Sequence, residues 1–330
     1  MKAAVLTELN APLVVEDVGL TPLQFGQVLV RVLTAGICGA QLQEIRGEKG
    51  GPLPHLMGHE GCGIVEEIGA GVSRVKVGDK VVMHWRKAAG MESDFPRYNI
   101  GGFEVTSGLV TTWAEKTICS ENRLTSVPED TDPVLCTLLG CSLSTALATI
   151  ESEVTRFGES ILVIGCGGLG LSLLGALHLL TPSRICCCDV HESKRRSAEV
   201  HGDEFVNLTH QKLSGKFDII LDTAGAPQTM ETALSHLAPS GRYVMIGQPP
   251  PNRPVCINAA RHMFDGEGKS IRATQGGGFR PDLDIPRYLK IASSLFVHNL
   301  ATHRIKLDQI NLGLDLVRHG EAGRVIIEMT

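Results

Sequence analysis

The sequence lacks the excess of basic residues that binding to nucleic acid requires. Its 330 residues include 31 Lys and Arg against 36 Asp and Glu, which gives a formal net charge of -5. No stretch interleaves Lys or Arg with stacking aromatic residues. Because such a chain has no positive field to attract a phosphate backbone, we expect a small-molecule substrate and no nucleic-acid partner.

Signals of secretion, disorder and repetition are also missing. The opening segment MKAAVLTELN alternates in polarity like a β-strand and lacks the apolar core of a signal peptide. Three of the ten cysteines, Cys186, Cys187 and Cys188, are consecutive, which does not fit a disulfide framework. With 43% hydrophobic and 20% charged residues, we expect a folded protein of a reducing compartment, the cytoplasm.

One apolar run, residues 161–181, is long enough to span a bilayer. It opens with four apolar residues that favour a strand, continues through several glycines, and ends in a Leu- and Ala-rich stretch that favours a helix. We therefore predict a buried strand, a turn and a helix, and no association with a membrane.

The pattern along the chain predicts two domains of an α/β protein. Residues 1 to about 130 carry short strand-like runs separated by Gly and Pro, which indicates a β-rich domain. From about residue 143, buried strands alternate with helices, which predicts a doubly wound parallel sheet. The tail reads as two helices and a last strand, and periodicity alone does not assign it to either domain.

The string ILVIGCGGLG predicts a dinucleotide site. Gly165, Gly167 and Gly170 have the spacing G-x-G-x-x-G between a buried strand and an apolar helix, the geometry in which backbone amides approach a pyrophosphate. Asp189 ends the next strand, where an acid accepts hydrogen bonds from the adenosine ribose of NAD and repels the extra phosphate of NADP. Alternatively, the glycines serve only the turn and Asp189 caps a helix.

Cys38, His59 and Cys141 are candidate metal ligands. Two thiolates and one imidazole with an open fourth position form a ligand set of catalytic zinc. Taken singly, however, a cysteine is usually a small buried apolar residue and a histidine a satisfied polar one.

Six ordered motifs run through the whole chain: GICG at 36–39, GHEGCGIVEEIGAGVSRVKVGDKV at 58–81, GCSLST at 140–145, GCGGLGLS at 165–172, CDVHESK at 188–194 and THRIKLDQINLGLDLVRHGEAGRVII at 302–327. With these motifs the chain resembles the medium-chain, zinc-dependent alcohol dehydrogenases. The resemblance implies a GroES-like catalytic domain over residues 1–142, completed by residues 275–330, and a Rossmann NAD-binding domain over residues 143–274.

The resemblance also implies roles for individual residues. The zinc ligands would be Cys38, His59 and Cys141, with Glu60 as the acid beside the metal. The cofactor contacts would be Thr145 at the nicotinamide, Asp189 and Lys194 at the adenosine ribose, and Arg324 with Gly165, Gly167, Gly168 and Gly170 at the pyrophosphate.

Two residues depart from the family pattern close to the first ligand. The family usually has Ser or Thr and then Asp where this chain has Ala40 and Gln41. A methyl group cannot pass a proton, so the proton relay would fall to water, to the substrate, or to another group such as Glu44. Gln41 could accept a hydrogen bond from the ligand histidine through its amide oxygen, but brings no charge.

A second departure is the segment 82–110, which contains no cysteine and therefore excludes a Cys-rich structural zinc site there. We expect one catalytic zinc. The segment offers several basic side chains, and either it is a solvated loop or some of them reach the substrate. His84 and Arg86 are the candidate substrate contacts, and they would favour an anionic, for example phosphorylated, substrate.

The expected function is a zinc-dependent transfer of hydride between an alcohol or aldehyde/ketone and NAD(H). One alternative is a zinc-free quinone or enone reductase of the same superfamily, and another is a non-catalytic NAD(H)-binding protein. By analogy with relatives, we expect a homodimer or homotetramer.

Overall fold

The structure, a computed structural model, describes residues 1–154, 156, 158–180, 184–250, 252–264, 268–292 and 299–329. Its contacts divide the chain into two compact units. Unit 1 comprises Met1–Ser144 with Arg280–Thr330, and unit 2 comprises Thr145–Phe279. The boundaries of the catalytic and NAD-binding domains given above, after residues 142 and 274, remain predictions.

Unit 1 is built on two sheets. One has the strand order β2-β1-β5-β9-β8-β3, and the other has the order β11-β7-β6-β4-β19-β18, with β10 also paired to β4. The strands are β1 Lys2–Leu6, β2 Val14–Asp17, β3 Gly19–Leu20, β4 Gln27–Ile37, β5 His55–Leu56, β6 Gly61–Ile68, β7 Lys80–Met83, β8 Tyr98–Ile100, β9 Phe103–Ser107, β10 Lys116–Ser120, β11 Leu124–Val127, β18 Ala301–Lys306 and β19 Arg324–Glu328.

The long strand β4 positions the site because it leads directly to Cys38. Its sequence QVLVRVLTAGI is rich in β-branched residues, which favour a strand. Val28, Val30 and Val32 of β4 pack in the main core with Val325 and Ile327 of β19. The C-terminal segment is thus part of unit 1, where β19 pairs antiparallel with β4.

Unit 2 contains a parallel sheet with the strand order β14-β13-β12-β15-β16-β17. Its order reverses between β12 and β15, the switch point at which doubly wound folds bind nucleotides. The strands are β12 Ile161–Ile164, β13 Ile185–Asp189, β14 Glu204–Asn207, β15 Phe217–Asp222, β16 Leu237–Met245 and β17 Ser270–Ala273. This sheet confirms the predicted Rossmann-type α/β fold.

Short helices and turns connect these strands. The helices are α1 Gly39–Ile45, α2 Pro133–Leu139, α3 Ser142–Glu153, α4 Gly168–Leu180, α5 Arg195–Ala198, α6 Pro227–Leu234, α7 Ala259–His262, α8 Pro281–Ile291 and α9 Ile310–Arg318. The first of the two predicted tail helices is α8, and residues 293–298, which follow it, lie outside the described residues. The sequence did not predict α2, α3 or β18.

The apolar run at 161–181 is the strand β12 followed by a turn and α4, as predicted, although Thr181 lies outside the described residues. Within the described ranges, no single helix combines the length and apolar character needed to cross a membrane. The bent pair α2 and α3 meets that criterion only when the two helices are taken together.

Candidate active site

Three segments of unit 1 bring Cys38, His59 and Cys141 together. Cys38 is the N-cap of α1 directly after β4, His59 precedes β6, and Cys141 lies between α2 and α3. One ligand atom from each residue lies within 4.8 Å of the other two. The structure therefore assembles the three predicted ligands into a group that can hold a metal ion.

The chemistry of this cluster fits zinc. Two thiols and one imidazole leave the fourth position of a tetrahedral ion open. Nε2 of His59 is buried and has no hydrogen-bond partner among the described residues. An unpartnered buried nitrogen costs free energy unless something binds it, and a metal ion would bind it here.

The pKa values of the two thiols are shifted in opposite directions. A hydrogen bond from the Cys141 thiol holds the pKa of Cys38 well below its ordinary value. The same hydrogen bond and burial raise the pKa of Cys141. Because a metal binds thiolates, loading the cluster must release the remaining proton.

Gln41 links two of the candidate ligands through its amide group. Its Oε1 accepts a hydrogen bond of 2.9 Å from the backbone N–H of Cys38, and its Nε2 is in hydrogen-bond contact with Nδ1 of His59. A metal on Nε2 of an imidazole leaves the proton on Nδ1, which then needs an acceptor. The sequence predicted the amide oxygen at this place, whereas the structure turns that oxygen toward Cys38.

A buried ion pair lies behind the cluster. Glu60 accepts a hydrogen bond of 2.7 Å from Nη1 of Arg324, and the two side chains are 0% and 2% exposed. Burial raises the pKa of Glu60 to about 7, against the attraction of Arg324. Gly36 makes room for this carboxylate, because a Cβ at that position would approach Oε1 and Cδ of Glu60 too closely. The pyrophosphate role of Arg324 remains a prediction.

A cavity of about 610 Å³ in unit 1 includes His59 in its wall. Glu44, His55, Trp85, Arg97 and Glu104 also line it. His55 was not singled out from the sequence, although it stands four residues before His59 in the same short segment. The cavity therefore reaches His59, one of the three candidate ligands.

The predicted substrate contacts need correction. His84 is completely buried and does not line the cavity; its ring nitrogens contact the carbonyl oxygen of Arg86 at 2.7 Å and Oγ1 of Thr125 at 3.0 Å. Arg86 lies over the Trp85 ring instead of in the cavity wall. Arg97 reaches the cavity but forms an ion pair with Glu104. These positions do not support an anionic substrate.

The glycine-rich turn in unit 2 has the geometry that the motif predicts. Gly165 has φ +86°, which favours glycine. A Cβ at Gly170 would overlap the carbonyl oxygen of Gly165, whereas a Cβ at Gly167 would meet no atom within 4 Å. Gly168 begins α4, so the helix N-terminus and the open space at Gly167 are suited to an anionic group.

The residues predicted at the adenosine and nicotinamide ends also lie in unit 2. Oδ2 of Asp189 accepts a 2.7 Å hydrogen bond from the Cys166 amide in the turn, and Oδ1 accepts one of 2.9 Å from the His191 amide. Lys194 is buried, not solvated, and burial lowers its pKa against the attraction of Asp189. Thr145 is a buried residue of α3. Contacts of these residues with a cofactor remain predictions.

Comparison with known proteins places these features in a family context. The model of the alcohol dehydrogenase GroES-like domain matches residues 24–129, and that of the zinc-binding dehydrogenases matches residues 168–294. Alcohol dehydrogenase 6 of Peromyscus maniculatus is 28% identical over 366 residues, covering 99% of this chain and 97% of that protein.

Solved structures show the same fold. An alcohol dehydrogenase zinc-binding domain protein from Burkholderia ambifaria superposes with a TM-score of 0.90 at 22% identity, covering 100% of this chain and 98% of that one. Benzyl alcohol dehydrogenase from Acinetobacter calcoaceticus superposes with a TM-score of 0.88 at 22% identity, covering 100% and 99%.

Proposed function

The chain belongs to the medium-chain, zinc-dependent alcohol dehydrogenase family, and from this we propose that it transfers hydride between an alcohol or aldehyde/ketone and NAD(H). The observation that carries the proposal is the convergence of Cys38, His59 and Cys141, with the buried Nε2 of His59 lacking a partner among the described residues.

The buried charges around the cluster suit a divalent ion. Once both thiols are ionised, Cys38 and Cys141 supply two negative charges that balance a dication, while Glu60 is already balanced by Arg324. When bound, zinc supplies a Lewis acid that polarises the substrate oxygen, and NAD(H) accepts or donates the hydride. Cys38, His59 and Cys141 would hold the ion, and the cavity beside His59 would admit the substrate.

Zinc binding and turnover can be tested with purified protein that has not been exposed to a chelator. We expect close to one zinc per chain and NAD⁺-dependent oxidation of at least one member of an alcohol panel that includes cyclic and phosphorylated polyols, followed by NADH absorbance. Cys38→Ser should lose zinc and turnover but retain NADH binding. Zinc below about half an ion per chain favours the zinc-free reductase, and a zinc-loaded, NADH-binding protein without turnover favours the non-catalytic alternative.

We also propose NAD(H) as the cofactor instead of NADP(H). Asp189 places a carboxylate at the end of β13, where it would repel the phosphate of NADP. Asp189→Gly should weaken NAD(H) binding and relax discrimination against NADP(H). Asp189→Asn is the matched variant, because its single amide oxygen can still accept one of the two hydrogen bonds that Asp189 accepts, while the charge is lost. An unchanged preference in Asp189→Gly would show that the ribose contact is assigned to the wrong residue.

The remaining expectations are proposals of the same kind. We propose one catalytic zinc and no structural zinc, a homodimer or homotetramer, and a place in the cytoplasm. The segment 82–110 supports the zinc count because it has no cysteine, and all ten cysteines are free thiols, which suits a reducing compartment. Metal analysis and light scattering of the purified protein test the first two proposals.

A further inference from the structure

The first turn of α1 lacks a side chain that can accept the proton of a substrate hydroxyl. Position 40 holds Ala, and oxidation of an alcohol must deliver that proton to some base. Residues four apart lie on the same face of a helix. In α1 the residue four positions after Ala40 is Glu44, which lines the same cavity as His59.

We propose that Glu44 is the proton-accepting group of the active site, one helical turn beyond the position of Ala40. The inference rests on the proposed dehydrogenase function and deepens it. Glu44 and the candidate ligand His59 share a cavity wall, so a carboxylate and the reacting oxygen would meet within the same enclosed space.

The other titratable side chains in the cavity wall are less suited to this task. His59 is a candidate ligand, and Arg97 and Glu104 are paired with each other, with side chains 61% and 56% exposed. Nδ1 of His55 contacts Oγ1 of Thr106 at 3.0 Å, and that hydroxyl donates to the carbonyl oxygen of Pro52 at 2.6 Å.

This arrangement fixes the tautomer of His55 and limits its basicity. Since the Thr106 hydroxyl donates to Pro52, it accepts from Nδ1–H of His55. Burial lowers the pKa of the His55 ring, which makes it a weaker base. Burial has the opposite effect on Glu44, because it disfavours the carboxylate and raises its pKa. These two shifts bring the basicities of His55 and Glu44 closer together, and Glu44 differs from His55 in lying on the same face of α1 as Ala40.

The charges that act on Glu44 come from three neighbours. His59 and Lys49 favour its ionised form, and the thiolate of Cys38 disfavours it. The pKa of Glu44 therefore depends on the charge of the candidate metal cluster, although Glu44 is not one of its three ligands.

The proton and electron balance is simple. In oxidation, the hydride leaves the carbinol carbon with its electron pair and reduces NAD⁺ to NADH, while the substrate O–H bond breaks and an O–H bond forms on Glu44. The protonated carboxyl then gives its proton to water at the open side of the cavity, where Arg97 and Glu104 are exposed. Reduction of the aldehyde or ketone runs the same steps backwards.

The kinetic test compares Glu44→Gln with Glu48→Gln in the zinc-loaded enzyme. Glu48 follows the same helix, pairs with Arg46 and does not line the cavity. For the most active alcohol of the panel, Glu44→Gln should lower kcat/KM about 100-fold or more and remove the acid limb of its pH profile. Zinc content and melting temperature should stay at wild-type values, and acetate should partly restore the activity of Glu44→Ala.

A second readout does not depend on turnover. Trifluoroethanol has an acidic hydroxyl and a carbinol carbon that resists hydride loss, so its binding to the NAD⁺ complex should transfer a proton without reaction. The infrared difference spectrum of the wild type should gain a protonated-carboxyl band on binding, and Glu44→Gln should lack that band.

The outcomes separate this inference from the proposed function. A zinc-loaded wild type that turns over, together with a Glu44→Gln variant of unchanged kcat/KM and pH profile, overturns the role of Glu44 alone. Loss of the acid limb in His55→Gln instead of Glu44→Gln overturns it in favour of His55. A wild type without zinc or without turnover overturns the proposed function, and the role of Glu44 with it.

Discussion

The candidate metal centre draws its side chains from three separate segments of unit 1, whereas the glycine-rich turn of unit 2 is a single run from Gly165 to Gly170. Behind the metal centre lies the buried ion pair of Glu60 and Arg324, and unit 1 also buries His84 elsewhere. The turn depends on backbone shape, since a Cβ at Gly170 would overlap the Gly165 carbonyl. The two regions should therefore respond to different changes. Low pH or the loss of a charged partner should affect the metal centre, and added side-chain volume should affect the glycine-rich turn.

The largest expected effect comes from breaking the buried ion pair. Arg324→Met leaves Glu60 buried without its cation, which we expect to lower the free energy of unfolding by about 3–5 kcal/mol. Urea unfolding at pH 8 measures this. Arg318→Met is the matched control, because Arg318 is 50% exposed in its pair with Asp315 and such pairs contribute about 0–1 kcal/mol.

A double variant tests whether the lost partner is the cause. Adding Glu60→Gln to Arg324→Met removes the unpaired charge and should recover part of the loss. Equal stability losses in Arg324→Met and Arg318→Met would contradict the comparison between the metal centre and the turn. The stability of the metal centre would then not depend on its buried charges.

A lower pH should also reduce the stability of unit 1, because His84 is buried. Burial lowers the pKa of His84 from 6.5 to about 4, so between these values the unfolded chain binds a proton that the folded chain does not. The stabilising contribution is present above pH 6.5 and is lost as the pH falls toward 4. The pKa difference corresponds to about 3 kcal/mol.

The measurement compares zinc-free wild type with His84→Gln by urea unfolding at pH 7 and pH 4. Wild type should lose about 3 kcal/mol more than the variant. The exposed His319 supplies the control, since His319→Gln should follow the wild type. Parallel pH profiles for all three proteins would contradict the prediction.

Added volume should damage the turn while sparing the metal centre. Gly170→Ala forces a methyl group against the Gly165 carbonyl, with an expected cost of about 1–3 kcal/mol and a loss of NADH binding in a fluorescence titration. Zinc content should not change. Gly167→Ala should keep the wild-type melting temperature, because no atom lies within 4 Å of the new Cβ, yet weaken NADH binding. Wild-type NADH affinity in Gly167→Ala would show that the cofactor does not enter that space.

The smallest expected effect is an increase in zinc affinity. Gln41→Glu keeps the length of the side chain and offers one oxygen to the Cys38 amide and another to Nδ1 of His59. The acceptor that a metal-bound imidazole needs is then present, so zinc affinity should rise about 10-fold in a chelator competition. Gln43→Glu adds the same charge at a position outside these contacts. An equal gain in both variants would assign the effect to charge alone.

The sequence predicted the parts of the molecule whose cause is local. Strand β12, the turn and α4 follow one another without interruption, and Asp189 ends the next strand. The glycines there have roles that stereochemistry dictates at their own positions. The three candidate ligands were also predicted, but through the family resemblance, since their spacing does not reveal that they meet.

The sequence did not predict features that depend on distant partners. Glu60 and Arg324 are 264 residues apart, and nothing in either segment indicates that they pair. The amide orientation of Gln41 depends on competition between the Cys38 amide and the His59 ring. His84 was predicted as a candidate substrate contact, with a solvated loop as the alternative, but it follows the buried Met83 and forms a hydrogen bond with Thr125.

The position of β19 near the C-terminus affects which unit can fold first during synthesis. Unit 2 is complete once Phe279 has left the ribosome, so it can fold while the rest of the chain is still being made. The nascent form of unit 1 already contains Cys38, His59 and Cys141. The last residues of β4, 34–37, are still unpaired with β19, and Glu60 still lacks Arg324. An unpaired strand edge is a site of aggregation. Ribosomes that stall before residue 324 should therefore release chains with a folded nucleotide-binding unit and an aggregation-prone metal-binding one.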